Sequence, residues 1–110
     1  MLSSEVAPFA KTGGLADVAA SLPKALRSEG HDVRVCMPRY QPIGSERFGL
    51  RTVVDGLDVP LDVGEERVSV LEGSIDGKVP VYFIEDERLF GSREHIYGYA
   101  DDGERFVLFC

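Results

Sequence analysis

The residues of this sequence that are best placed for chemistry are a lysine and two glycines near its amino terminus. Lys11 and Thr12 are followed by Gly13 and Gly14, and a helical pattern begins directly after the glycines. A helix N-terminus offers free amides and a partial positive charge, glycine lets a ligand approach the backbone, and lysine adds a mobile cation. The segment therefore predicts a phosphate or pyrophosphate site.

The same segment has an explanation that needs no ligand. Two glycines before a helix are more often a tight turn, and a lysine in a loop is more often only solvated. The glycines follow the lysine, which excludes a Walker loop, and the spacing is not GxGxxG. On the residues alone, the anion site is a hypothesis and the turn is its alternative.

A helix that would position this segment is predicted over residues 14–29. Apolar residues recur with helical spacing and predict its buried face: Leu15, Val18, Ala19, Leu22 and Leu26. Gly30 is expected to end the helix. Because Pro23 removes one backbone donor, the helix is expected to bend or restart near Ser21.

The elements after the helix predict the fold class. A β-branched run at residues 32–38 follows the helix closely, which is typical of a parallel βαβ unit. The matching first strand falls on residues 1–4, which is short for a central strand, so the chain is expected to begin inside or just after that strand.

The middle of the sequence predicts an antiparallel excursion over residues 51–75. Its strand-like runs are residues 52–54, 57–63 and 68–75, and Asp76-Gly77 predicts a hairpin into a core strand at residues 79–84. Asp101 and Asp102 then precede an apolar helix over residues 105–110. The predicted fold is α/β, a Rossmann-like parallel sheet with an antiparallel hairpin insertion.

Composition and charge limit the classes of partner. The 110 residues fit one domain at most, and 12 Lys and Arg against 19 Asp and Glu leave a net charge of −7. Nucleic acid and anionic membrane surfaces are not expected partners, because their binding needs a basic patch. No apolar run approaches the roughly 20 residues of a membrane span. Cys36 and Cys110 lie far apart, without the spacing of a metal site.

A family resemblance sharpens this interpretation. The KTGGLADV segment within residues 3–18, continued by residues 22–26, 30–35 and 37–40, closely resembles the N-terminus of bacterial glycogen synthases and plant starch synthases. The resemblance is thin over residues 41–78 and returns at 79–85 and 97–109. It implies that residues 1–110 are an incomplete N-terminal (starch synthase catalytic) domain of a two-Rossmann-domain glycosyltransferase, whose C-terminal nucleotide-binding domain is absent from this chain.

The resemblance also implies a function. Members transfer glucose from ADP-glucose to the non-reducing end of an α-1,4-glucan with retention, and they need no metal or other cofactor. Carried over to this sequence, Lys11, Gly13 and Gly14 bind ADP-glucose, while Glu5 and Asp17 lie on the glucose or acceptor side. The expected location is the bacterial cytoplasm, or the plastid for a plant protein.

Several interpretations stay open at this point. The other catalytic residues of the family are expected beyond Cys110, so the chain alone is expected to be inactive. Another nucleotide-sugar glycosyltransferase, or a non-catalytic module that binds glucan or phosphate, is the alternative. The aromatic residues Tyr97, Tyr99 and Phe90 either stack on sugar or pack a loop on the sheet. Residues 85–87 are expected to be solvated and to start a helix.

Overall fold

The computed structural model describes residues 1–62 and 64–110, so the end of the predicted run 57–63, Val63, lies outside the described residues. The described part contains one long helix, four strands and three shorter helical segments. In chain order these elements are α1 (Gly14–Ser28), β1 (Val35–Pro38), α2 (Ser45–Phe48), β2 (Arg51–Leu61), β3 (Gly64–Ile75), β4 (Val79–Glu85), a π-turn (Glu87–Gly91) and α3 (Asp102–Phe109).

The four strands form one mixed sheet in the order β1-β4-β3-β2. β1 and β4 run parallel, with Val35 opposite Val81, whereas β3 is antiparallel to both β4 and β2. Residues 1–3 run parallel to β1 on its free side, where the Cys36 amide donates to the Met1 carbonyl at 2.8 Å. The predicted α/β fold, a parallel sheet with an antiparallel hairpin, is confirmed.

Helix α1 buries a different face from the predicted one, although Ala19 belongs to both. Its buried residues are Ala16, Ala19, Ala20 and Pro23. Three of the five predicted core residues, Leu15, Val18 and Leu22, are exposed. The predicted and the observed set have the same i, i+3, i+4, i+7 spacing and are offset by one residue. Hydrophobic periodicity therefore detects the helix but does not determine which face is buried. The small side chains of the alanine face let α1 lie close to the sheet.

The predicted ending of α1 at Gly30 and the predicted hairpin turn between β3 and β4 are confirmed, whereas the predicted bend or restart inside α1 has a different outcome. α1 is one continuous helix through Pro23, so a restart near Ser21 is not observed. After it, Gly30 has a φ of 94° and its amide donates to the Arg27 carbonyl, while His31 donates to Leu26. This is a Schellman ending, as expected for a glycine just past a helix. Asp76 and Gly77 have φ values of 52° and 66°, which fits a tight hairpin turn.

One apolar core holds the loop between residue 3 and α1 against the sheet. Val6 and Phe9 of this loop are buried, and the Phe9 ring meets the Phe83 and Phe48 rings edge-on, each at a centroid distance of 4.9 Å. The loop that carries Glu5 and Lys11 is thus fixed at two points. The core cluster comprises Val6, Phe9, Ala19, Ala20, Val35, Met37, Tyr40, Ile43, Leu71, Ile75, Val79, Val81, Phe83, Leu89 and Phe90.

Over residues 1–62 and 64–110, no helix combines the length and the apolar character needed to cross a membrane. In the same part of the chain, no group of three or more His, Cys, Asp or Glu side chains is arranged to hold a metal ion.

Candidate functional site

A cleft of about 260 Å³ opens beside the loop that precedes α1. It lies beyond the carboxyl ends of the parallel strands, because the loop follows residues 1–3, Tyr40 follows β1, and the third wall, residues 94–96, comes after β4. In open α/β sheets, this edge is where ligands bind. The cleft is lined by Phe9, Ala10, Lys11, Thr12, Tyr40, Pro42, Ile43, Glu94, His95 and Ile96.

Glu5 is a buried carboxylate at the N-terminus of α1. Only 2% of the residue is exposed. Its carboxylate accepts hydrogen bonds from the Thr12 hydroxyl at 2.5 Å, the Gly13 amide at 3.2 Å and the Ala16 amide at 3.3 Å. Glu5 therefore supplies the negative charge that the helix dipole favours, and two of the terminal amides are already engaged.

Lys11 lies at the rim of the cleft and forms an ion pair with Asp17 in the first turn of α1. Its Nζ donates to both carboxylate oxygens, at 2.8 and 2.9 Å. The two side chains are 52% and 56% exposed, so the pair is worth at most about 1 kcal/mol. Asp17 thus holds the ammonium group beside the first turn of α1, weakly enough for an anionic ligand to displace it.

The two glycines have no conformational or packing role that requires glycine. Neither has a positive φ, and Gly13 is extended at −165°. A Cβ atom at either position would meet nothing within 4 Å. A turn that needs glycine is therefore not present, which weakens the alternative to the anion site. The backbone of both glycines is open to the approach of a ligand.

The third wall of the cleft, residues 94–96, is flanked by the aromatic residues for which the sequence left sugar stacking and loop packing open. The Tyr97 hydroxyl lies 2.6 Å from Ser4 Oγ, and the Tyr40 hydroxyl donates to the Ser4 carbonyl. Burial raises the pKa of both phenols. Phe90 is buried against Tyr40, so packing is its role, whereas Tyr97 remains partly exposed. Long-range contacts of this kind leave no local pattern in the sequence.

A second cavity, of about 200 Å³, lies between the β2–β3 hairpin and α3. Asp86 lines it and is buried, so the prediction that residues 85–87 are solvated is wrong for this residue. Its Oδ1 accepts from the Leu89 amide at 3.0 Å and starts the π-turn as expected, but its Oδ2 has no hydrogen-bond partner within the described part of the chain. Burial raises the pKa of Asp86, and the adjacent Glu66 carboxylate raises it further.

Fold and site together define a class of protein. A parallel βαβ unit, with a lysine and bare glycine backbone at the helix N-terminus beyond the strand ends, is characteristic of Rossmann-like proteins that bind phosphorylated ligands. All of residues 1–110 match the family described as the starch synthase catalytic domain. The chain belongs to this family.

Curated relatives and a solved structure agree with that assignment. The glycogen synthase of Moorella thermoacetica is 46% identical over 112 residues, which cover 100% of this chain and 22% of that protein. Glycogen synthase 1 of Geobacter sulfurreducens is 49% identical over 115 residues, covering 98% of this chain and 23% of the relative. The chain thus spans less than a quarter of the length of these relatives.

The fold is also similar to a solved plant structure. The catalytic domain of Starch Synthase IV from Arabidopsis thaliana, described as bound to ADP and acarbose, superposes with a TM-score of 0.86 at 36% identity. The match covers 98% of this chain and 22% of that one.

Proposed function

We propose that this chain is the N-terminal part of a glycogen or starch synthase, a retaining glycosyltransferase that moves glucose from ADP-glucose to the non-reducing end of an α-1,4-glucan. In this proposal, residues 1–110 form an incomplete N-terminal domain, and a C-terminal nucleotide-binding domain completes the active site. The observation that carries it is Lys11 beside the unobstructed Gly13-Gly14 backbone, in a chain of the starch synthase family. The bacterial source of the relatives favours a cytoplasmic location.

Lys11 is assigned to the diphosphate of the donor. Breaking the bond between glucose and phosphate moves negative charge onto the departing diphosphate, and a fixed cation stabilises that charge more in the transition state than in the ground state. The ammonium group would leave Asp17 for the phosphate, since the exposed ion pair costs little to break.

The remaining residues of the proposed site have distinct parts. Gly13 and Gly14 let the donor approach the backbone, because no side chain covers them. Glu5 holds this loop to α1 through three hydrogen bonds. Asp17 keeps Lys11 in place before the donor binds. In the same proposal, Glu5 and Asp17 lie on the side of the site that faces glucose or the acceptor glucan.

The test uses a hybrid protein in which this chain replaces the segment that it matches in the Moorella thermoacetica glycogen synthase. Transfer of labelled glucose from ADP-glucose to glycogen is measured for the hybrid and for its Lys11→Ala variant. We expect Lys11→Ala to lower kcat/KM by about 10²- to 10³-fold, the typical effect of removing one group that stabilises transition-state charge. Lys78→Ala is the matched control, because Lys78 is an exposed lysine on the β3–β4 turn.

The outcomes separate the alternatives. Because the nucleotide-binding domain of the hybrid comes from the Moorella protein, a preference for ADP-glucose or UDP-glucose would report on that domain and not on this chain. Full activity of Lys11→Ala would contradict the assignment of Lys11. A folded hybrid with no transfer from either donor would refute the proposed function.

A further inference from the structure

Arg105 is a fully buried cation that ties the third wall of the cleft to α3. Its exposed fraction is 0%. The guanidinium donates to the Leu89 carbonyl at 3.3 Å, to the Asp102 carboxylate at 3.0 Å and to the Ile96 carbonyl. Burying a charge is costly unless it is paired and hydrogen-bonded. Here the partners are spread along one segment, from Leu89 through Ile96 to Asp102.

The contacts of Arg105 fix the path of residues 89–99. Asp102 extends the same network, because its carboxylate accepts the Gly98 amide at 2.8 Å and the Tyr99 amide at 3.3 Å. The Arg105 guanidinium also lies over the Phe106 and Tyr99 rings, at 4.6 and 5.2 Å from their centroids. The segment that carries His95 and Ile96 into the cleft is therefore held from behind by α3.

Tyr97 connects this segment to the loop on the opposite side of the cleft. Its ring packs on Phe106 with centroids 5.5 Å apart, and its hydroxyl is hydrogen-bonded to Ser4. Ser4 immediately precedes Glu5, whose carboxylate binds the Thr12 hydroxyl and the Gly13 amide. A continuous chain of contacts thus runs from Arg105 through Tyr97 to the residues beside Lys11.

We propose that Arg105 and Tyr97 are positioning residues for the donor site: Arg105 sets the wall of the cleft formed by residues 94–96, and the Tyr97–Ser4 hydrogen bond keeps that wall in register with the Lys11–Gly13 loop. This rests on the proposed function, because it assigns the two residues to the reaction that the cleft performs. Neither side chain needs to touch the substrate. Their effect is transmitted through the width of the cleft.

The test uses the same hybrid protein with Tyr97→Phe, Arg105→Lys and both together. Tyr97→Phe keeps the ring on Phe106 and removes only the hydroxyl. Arg105→Lys keeps the charge, but an ammonium group cannot reach the three acceptors that the planar guanidinium joins. Tyr82→Phe is the matched control, because it removes a hydroxyl that accepts from Arg34 at 3.0 Å, outside the cleft.

Kinetics and hydrogen exchange are read on each variant. We expect Tyr97→Phe to raise the KM for ADP-glucose by up to about tenfold, the effect of one hydrogen bond, with a change in kcat of less than twofold. Arg105→Lys should act in the same direction, and the double variant should be no worse than Arg105→Lys alone. Amide exchange of peptides covering residues 94–97 and 11–13 should be faster in both single variants and unchanged in Tyr82→Phe.

The possible failures are distinguishable. An unchanged KM in Tyr97→Phe, or fully additive effects in the double variant, would overturn the positioning role. If the parent hybrid transfers no glucose, the proposed function fails, and exchange still decides the contact chain: unchanged exchange at residues 11–13 in Tyr97→Phe would overturn it.

Discussion

Replacing Glu5 should cost more stability than replacing any exposed carboxylate of this chain. In Glu5→Ala, three donors lose their acceptor: the Thr12 hydroxyl and the amides of Gly13 and Ala16. Thr12 and Gly13 are exposed, so water can replace the carboxylate there. Ala16 is buried, so its amide stays unsatisfied.

The magnitude follows from these contacts. Loss of a side chain that caps a helix N-terminus costs about 0.5 to 2 kcal/mol, and a buried unsatisfied donor costs about 1 to 3 kcal/mol. We therefore expect Glu5→Ala to lower the free energy of unfolding by about 3 kcal/mol. For a domain of this size, that corresponds to a fall in melting temperature of about 12 to 24 °C. Glu5→Gln keeps one acceptor oxygen and loses the charge at the helix dipole, so we expect about 1 kcal/mol.

Thermal and urea denaturation of the 110-residue chain measure these differences. Glu29→Ala is the control, because Glu29 is an exposed glutamate at the other end of α1 and its removal should change stability by at most about 0.5 kcal/mol. A Glu5→Ala variant that melts within 3 °C of the parent, on the scale of about 4 to 8 °C per kcal/mol, would refute the capping role of the carboxylate.

Three further predictions concern other parts of the chain. In the hybrid enzyme, Lys11→Arg should recover only part of the activity lost in Lys11→Ala, since the guanidinium differs in reach and geometry; full recovery in the glucose-transfer assay would contradict a specific contact. The pKa of Asp86 is raised in the folded protein, so its protonated form stabilises the fold at low pH. This contribution to the free energy of unfolding is lost as the pH rises through the raised pKa. Asp86→Asn should therefore gain about 1 kcal/mol over the parent at about pH 8 and much less at about pH 4; equal differences in urea unfolding at both pH values would refute this. Ala19→Leu should lose about 1 to 3 kcal/mol by overpacking the buried face of α1, whereas Val18→Ala should lose at most about 0.5 kcal/mol; the reverse order of melting temperatures would restore the predicted face.

The sequence alone was sufficient where a feature depends on neighbours along the chain. The Gly30 helix ending and the Asp76-Gly77 hairpin were predictable, because both need a backbone conformation that few residues adopt. Helix α1 was predictable from hydrophobic spacing, the parallel pairing from a strand that closely follows a helix, and the antiparallel pairing from the hairpin signal. The KTGGLADV segment was specific enough to indicate the family that the whole chain matches.

Only the tertiary structure decided which side chains meet. Periodicity could not show that α1 buries its alanines, because the choice depends on how closely the sheet approaches. Nor could local sequence show that Glu5 caps α1, that Asp17 holds Lys11, or that Asp86 is buried. Arg105 looked like the start of an apolar helix face, yet it is the charged centre of the wall behind the cleft. Each of these environments is formed by chain segments that only folding brings together, so the residue types establish what chemistry is available and the packing determines where it is used.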